Sequence, residues 1–212
     1  MIKTLALIKR LPGSSRDAFR EHYETVHAPL ALPLLDGLER YVRYHVHANR
    51  FGDFAFDVLT AFWYRDRAAT DSVFSRLASA EGEAILADEL TFMDKPANRF
   101  FAVSQRSWLP GEEGDEHVFV IISRPEDMSR FDASSNLTNR HWPRLLDRVE
   151  EPSFALLRDF FPMQGDQTTF DSIMQIGACG YGGLEEWSKS LEDEGYRVCA
   201  VETQRFETRL DA

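Results

Sequence analysis

The chain has 212 residues, with 24 Lys+Arg against 35 Asp+Glu and a net charge of −11, so with no basic run to offset it a nucleic-acid partner is disfavoured. Apolar types at 43% and charged residues at 28% are ordinary globular proportions, which excludes a disordered chain. No apolar stretch approaches the roughly 20 residues that span a bilayer, and Cys179 and Cys199 make neither a disulfide framework nor a zinc spacing, so the expectation is a cytoplasmic protein without a membrane partner.

In chain order, residues 2–10 and 117–124 are apolar runs that suit buried strands. The N-terminal run has charge on both sides and reads as a first strand, not a signal peptide. Ser14 or Ser15 can cap a helix whose apolar positions Phe19, Tyr23, Val26 and Leu30 recur at spacings of three and four. Pro29 and Pro33 should distort or end it, since proline lacks a donor and clashes one turn back. Residues 40–47 and 55–64 are strand-like, with a polar turn around Gly52-Asp53. A helix follows over 67–79 with an irregular or helical extension to about Met93, then a strand over 99–108. The second half predicts a strand over 117–124, a helix over 129–148, strands over 153–161 and 170–179, a helix over 184–194 and a strand over 196–208.

The two halves share a register. His-x-Pro occurs at His27–Pro29 and His141–Pro143, and Phe-Asp at Phe56-Asp57 and Phe170-Asp171; 141 − 27 and 171 − 57 both give 114. The order β-α-β-β-α-β, read twice, is the ferredoxin-like split βαβ unit. The expected fold class is α+β: two fused ferredoxin-like repeats packed sheet to sheet as an intramolecular α/β barrel. Residues 1–108 form one repeat, 109–116 (Pro, Gly and charge) the linker, and 117–212 a diverged second repeat.

Strand alternation assigns faces. The more apolar sides should meet the helices, which sends Tyr41, Arg43, His45, His47, Asp57, Leu59 and Trp63 to the face without helix cover, where two such faces could enclose a cavity.

The runs Ile8-Lys9-Arg10-Leu11-Pro12-Gly13, Phe19-Arg20-Glu21-His22-Tyr23 and His27-Ala28-Pro29-Leu30 resemble the first half of an EthD domain; Phe56-Asp57 to Trp63 and Asp88-Glu89 to Phe92-Met93-Asp94 resemble its second half. The resemblance implies the dimeric α/β-barrel superfamily, whose chemistry includes polyketide cyclisation, lactone isomerisation, dehydration, decarboxylation and some oxygenation. It therefore implies a cofactor-independent small-molecule enzyme, a lyase, isomerase or cyclase acting on an aromatic or polyketide-like carbonyl compound. A non-catalytic accessory binder and a monooxygenase-type oxidoreductase are the alternatives.

The candidate catalytic set is His27, His45, Asp57, Tyr41 and Arg43: an imidazole as proton shuttle, Asp57 orienting it, Arg43 or Tyr41 stabilising an enolate. Asp57 needs a partner to be buried, and Arg43 across the hairpin is the structural choice. Trp63, His47, Leu59, Phe161, Asp171 and His141 are candidates for lining the substrate site. No metal ligand set and no cofactor motif is expected; Gly177–Gly183 lacks both phosphate-loop patterns. The partner expected is a small-molecule substrate, with a homodimer as an option.

Overall fold

The computed structural model describes residues 1–162, 170–208 and 210. Its chain divides into two units, residues 1–46, 55–102 and 206–212 in the first and residues 47–54 and 103–205 in the second. The eight strands run in the hydrogen-bonded order β1-β3-β2-β8-β5-β7-β6-β4, a closed antiparallel barrel, and the fold class is the one the sequence predicts. No described helix is long and apolar enough to cross a membrane.

The first unit is built on β1 (Ile2–Ile8), α1 (Arg16–His22), a π-helical turn (Tyr23–His27), α2 (Ala28–Ala31), β2 (Leu38–Phe51), β3 (Val58–Tyr64), α3 (Arg67–Leu77), α4 (Glu83–Phe92) and β4 (Arg99–Leu109). Strand β1 lies between β3 and β4, and β2 pairs with the far edge of β3. Ser15 caps α1 through the Ala18 amide, and Asp66 caps α3 through the Ala69 amide, each satisfying a donor the first turn leaves open. Pro29 does not end the first helix. The Ala28 amide reaches back five residues to the Tyr23 carbonyl, and the widened turn carries the chain past the proline.

The second unit repeats the plan with β5 (Glu116–Ser123), α5 (Arg130–Asn136), a π-helical turn (Leu137–His141), α6 (Trp142–Leu146), β6 (Phe154–Pro162), β7 (Ser172–Gly177), α7 (Leu184–Glu192) and β8 (Arg197–Thr208). The repeat is exact in register: Thr4↔Phe62 and Tyr41↔Phe62 in the first sheet become Val118↔Ile176 and Ala155↔Ile176 in the second, each number higher by 114. Between the third and fourth strand of each unit the match ends. There the first unit has α3 and α4, and the second has α7.

Asp57 and Asp171 sit just before β3 and β7. Asp57 accepts from the Arg10 amide (3.0 Å), is paired with the Arg10 guanidinium, and lies 3.3 Å from Arg16 Nε. Asp171 accepts from the Arg124 amide (2.8 Å), is paired with the Arg124 guanidinium, and lies 3.3 Å from Arg130. The Asp57 partners are thus Arg10 and Arg16, not the Arg43 anticipated from the hairpin. Each carboxylate ties the end of the first strand and the start of the first helix to the third strand.

The face assignment of β2 is corrected. Tyr41, Arg43 and His45 stand opposite Phe62, Thr60 and Val58, and directly opposed residues share a face. That face is the one the helices cover: Tyr41, Phe62 and Val58 pack with Phe19, Tyr23, Ala28 and Ala31. Both faces of β2 are buried over residues 41–46, so apolar alternation could not choose between them. Leu59 and Trp63 do lie on the opposite face from that helix cluster, and His47 is exposed.

We expect Asp57→Ala to lower unfolding free energy by about 3 kcal/mol in urea titration. This is the low end for a buried pair, because Arg10 and Arg16 are each about a third exposed. Asp171→Ala should cost a similar amount; a change below about 0.5 kcal/mol in both would refute the tying role.

Candidate functional site

Between helix layer and sheet of the first unit lies a cavity of about 260 Å³. Its floor is the helix-facing side of the sheet, where Tyr41 stacks on Phe62 (5.1 Å, 17°) and Phe62 on Tyr64 (6.2 Å, 20°), a row of near-parallel rings. The π turn and α2 supply Tyr23, His27 and Ala31; α4 and the segment after it supply Ile85, Leu86, Glu89, Met93 and Lys95. Phe74, Leu86 and Phe100 are 40%, 48% and 45% exposed and form an apolar rim.

His27 is buried at this cavity, and its Nδ1 donates to Asp88 of α4 at 2.9 Å. With Nδ1–H given to the carboxylate, Nε2 carries the lone pair. Burial pushes the His27 pKa below its ordinary value, and the Asp88 hydrogen bond offsets this only in part, so the ring is neutral at pH 7. Asp88 also accepts from His22 Nε2 at 2.7 Å, so one carboxylate fastens α4 to two imidazoles of the first helical segment. The Tyr23 hydroxyl is 3.1 Å from Thr60 Oγ1. Burial raises the Tyr23 and Tyr41 phenols above their ordinary pKa, Tyr41 the further, so both are proton donors at neutral pH.

Behind Tyr41 lies a second polar group. Glu24 receives Arg43 through two bonds (3.0 and 2.5 Å) and His45 Nε2 at 2.7 Å. Burial pushes the Glu24 carboxyl up, but the bonds from His45 and Arg43 more than offset it and hold it below the ordinary glutamate range. The Arg43 guanidinium lies 4.5 Å over the Tyr41 ring, a cation–π contact that fixes the ring. Among the described residues, the buried His45 Nδ1 has no hydrogen-bond partner. Arg43 and His45 therefore back the cavity wall and do not line it.

Of the residues anticipated for catalysis, His27 and Tyr41 line the cavity; Arg43 and His45 support it; Asp57 belongs to the arginine network. Of those anticipated for lining, Leu59 and Trp63 lie on the other face of the sheet, and His47 is exposed. His141 is buried in the second unit with Nε2 3.2 Å from Glu194, while Phe161 and Asp171 line a separate groove there. Cys179 is exposed. Sequence reading missed Glu24 and Asp88 as partners; Tyr23, one turn before His27, meets that ring edge-on at 5.0 Å while its hydroxyl is 3.1 Å from Thr60 Oγ1. A signal was present for the π turn, where His-x-Pro follows a tyrosine by four, but not for Asp88, which comes from 61 residues away. Among the described residues no group of three or more His, Cys, Asp or Glu is arranged to hold a metal ion.

Residues 11–96 match the EthD domain family. This segment is an EthD domain. It contains the π turn, α3 and α4, and so most of the cavity wall. A structure titled an anthrone oxidase-like protein superposes with TM-score 0.65 at 12% identity, covering 100% of this chain and 95% of its own. A monooxygenase-like protein of Fusobacterium nucleatum gives 0.55 at 5% identity, covering 99% and 98%. An EthD family protein of Bacillus halodurans C-125 is 24% identical over 54% of this chain and all of its own, with TM-score 0.37. No curated protein matches the sequence.

The second unit shows how the EthD domain keeps its space open. At the equivalents of Ala28 and Ala31 it has Trp142 and Leu145, both fully buried, and Trp142 stacks on Trp187 at 5.7 Å. Tyr41, Arg43, Thr60 and Phe62 become Ala155, Leu157, Met174 and Ile176, all inside one apolar cluster with the two tryptophans. The helix–sheet space of the second unit is core.

Ala31→Leu, which imports the residue of the second unit at a cavity-lining position, should keep the thermal midpoint within a few degrees. It should also weaken binding of a flat aromatic probe, 2-naphthol, by more than tenfold in fluorescence titration. Unchanged naphthol affinity in a folded variant would place the probe elsewhere.

Proposed function

We propose that the EthD domain cavity binds an aromatic or polyketide-like carbonyl compound and removes a proton from the carbon beside its carbonyl. His27 Nε2 takes the proton, the C–H electron pair moves to the carbonyl oxygen, and the enolate forms against the Tyr23 and Tyr41 hydroxyls. Asp88 holds the imidazole in the tautomer that leaves Nε2 basic and steadies the imidazolium that results. The observation that carries this reading is the His27–Asp88 bond: a neutral, oriented base at a cavity otherwise walled by aromatic and aliphatic groups. An enolate is the common entry to lyase, isomerase and cyclase chemistry, which is the reaction class proposed; no cofactor is needed for this step.

A second reading starts from the same anion. The fold likeness to an anthrone oxidase-like protein favours it. The deprotonated anthrone would give electrons to dioxygen, and anthrone plus O₂ would yield anthraquinone plus water.

The test is solvent deuterium exchange into 1-tetralone followed by NMR, with anthrone oxidation followed by absorbance in parallel. The protein should accelerate exchange, and His27→Ala should lose about 10²–10⁴ of that rate. Exchange equal in protein and buffer, with the ketone bound, would leave a binding protein. The base form is required, so the rate should fall as pH drops through the His27 pKa, which lies below the ordinary ~6.5. Asp88→Asn removes a charge that raises this pKa, and should move the acidic limb to still lower pH while reducing the plateau. A limb that stays in place in Asp88→Asn would remove Asp88 from the mechanism.

A further inference from the structure

Two of the cavity-lining side chains are an acid and a base, Glu89 and Lys95, and they are paired with each other. Glu89 is on α4 and Lys95 follows it, so this pair comes from the segment that has no counterpart in the second unit. Behind the wall, Arg43 is engaged by Glu24, and Asp88 is engaged by His22 and His27. Around the space, the ion pairs among the described residues join the carboxylates Glu24, Asp88 and Glu89 to Arg43, Lys95 and the imidazoles His22, His27 and His45. An entering carboxylate would leave water for a site where Arg43 and Lys95 are already paired. A neutral hydroxyl or carbonyl meets no such penalty and finds the Tyr23, Tyr41 and His27 groups to hydrogen-bond.

We propose that this cavity selects uncharged aromatic ligands over aromatic carboxylates, and that Glu89 is the residue that enforces the choice by occupying Lys95. The inference rests on the reading of this cavity as the ligand site and adds the charge class to it. The ring ladder of Tyr41, Phe62 and Tyr64 suits a flat ligand, and the rim of Phe74, Leu86 and Phe100 gives its body an apolar entrance. Selection against acids lies in the pairing, not in an absence of positive charge.

The experiment compares two probes of nearly the same shape, 2-naphthol and 2-naphthoic acid, at pH 7.5, where the first is neutral and the second ionised. Affinities come from calorimetry or fluorescence on the full chain, wild type and Glu89→Gln. In the wild type the acid should bind at least tenfold more weakly than the naphthol. In Glu89→Gln, where Lys95 is left without its carboxylate, the acid-to-naphthol affinity ratio should rise at least tenfold. Adding Lys95→Met to Glu89→Gln should abolish that rise, which separates a freed ammonium from a general loosening of α4. Equal binding of acid and naphthol by the wild type overturns the selection and leaves the functional reading standing. An unchanged ratio in a folded Glu89→Gln overturns the role of Glu89. Failure of both probes to bind the wild type overturns the selection together with the assignment of the cavity as a ligand site.

Discussion

A protein interior closes to the density of an organic crystal wherever its side chains can reach one another. In the first unit, beside Ala31, they leave a cavity. The helix layer there rests on the sheet through Phe19, Tyr23, Leu34 and Leu35, and Ala31 borders the space that remains. Everything chemical in the unit is arranged around that space. The π turn brings Tyr23 and His27 to it, α4 walls it, and the sheet floors it with rings. The second unit, with the same strand register and the same paired aspartate, spends the space on tryptophan.

The two units therefore divide the requirements of a small-molecule site between them in an uneven way. Both keep the strand-end aspartate with its two arginines, and both keep the His-x-Pro π turn, so these are properties of the scaffold. What differs is the lining. His27 meets Asp88 on α4; its counterpart His141 meets Glu194, beyond α7, beside Tyr196 and Asn136. A histidine held in both copies is thus a fastening in each, and in the first it also lines the cavity. The distinction is one of surroundings, since the residue and its turn are the same.

Much of this was legible from the chain alone. The 114-residue register emerged from two short motifs, and the strands and helices followed from periodicity because each is long enough to show its pattern. The β2 face was not legible. Residues 41–46 are buried on both sides, so polarity carried no directional information, and the helix-facing side is the more polar because Glu24 meets Arg43 and His45 there. Asp57 looked like a catalytic carboxylate because a lone acid before an apolar strand needs a partner. That partner was Arg10, 47 residues back, where sequence spacing gives no hint. Asp88 fell in the stretch read as an irregular or helical extension, which is helical as α4. A partner supplied by a separate helix has no local signature, and its importance shows only when α4 is seen against His22 and His27.

The π turn has a geometric corollary. Its backbone bond spans five residues where a regular helix spans four, so the first helical segment holds one residue more than an α-helix of the same rise. Excising a single residue between Tyr23 and His27 would let the segment close into ordinary α-helical form. Tyr23 and His27 would then stand three residues apart, and three steps of about 100° would leave them about 60° apart around the helix axis. The extra residue of that one turn thus sets the angle at which phenol and imidazole meet the cavity they both line.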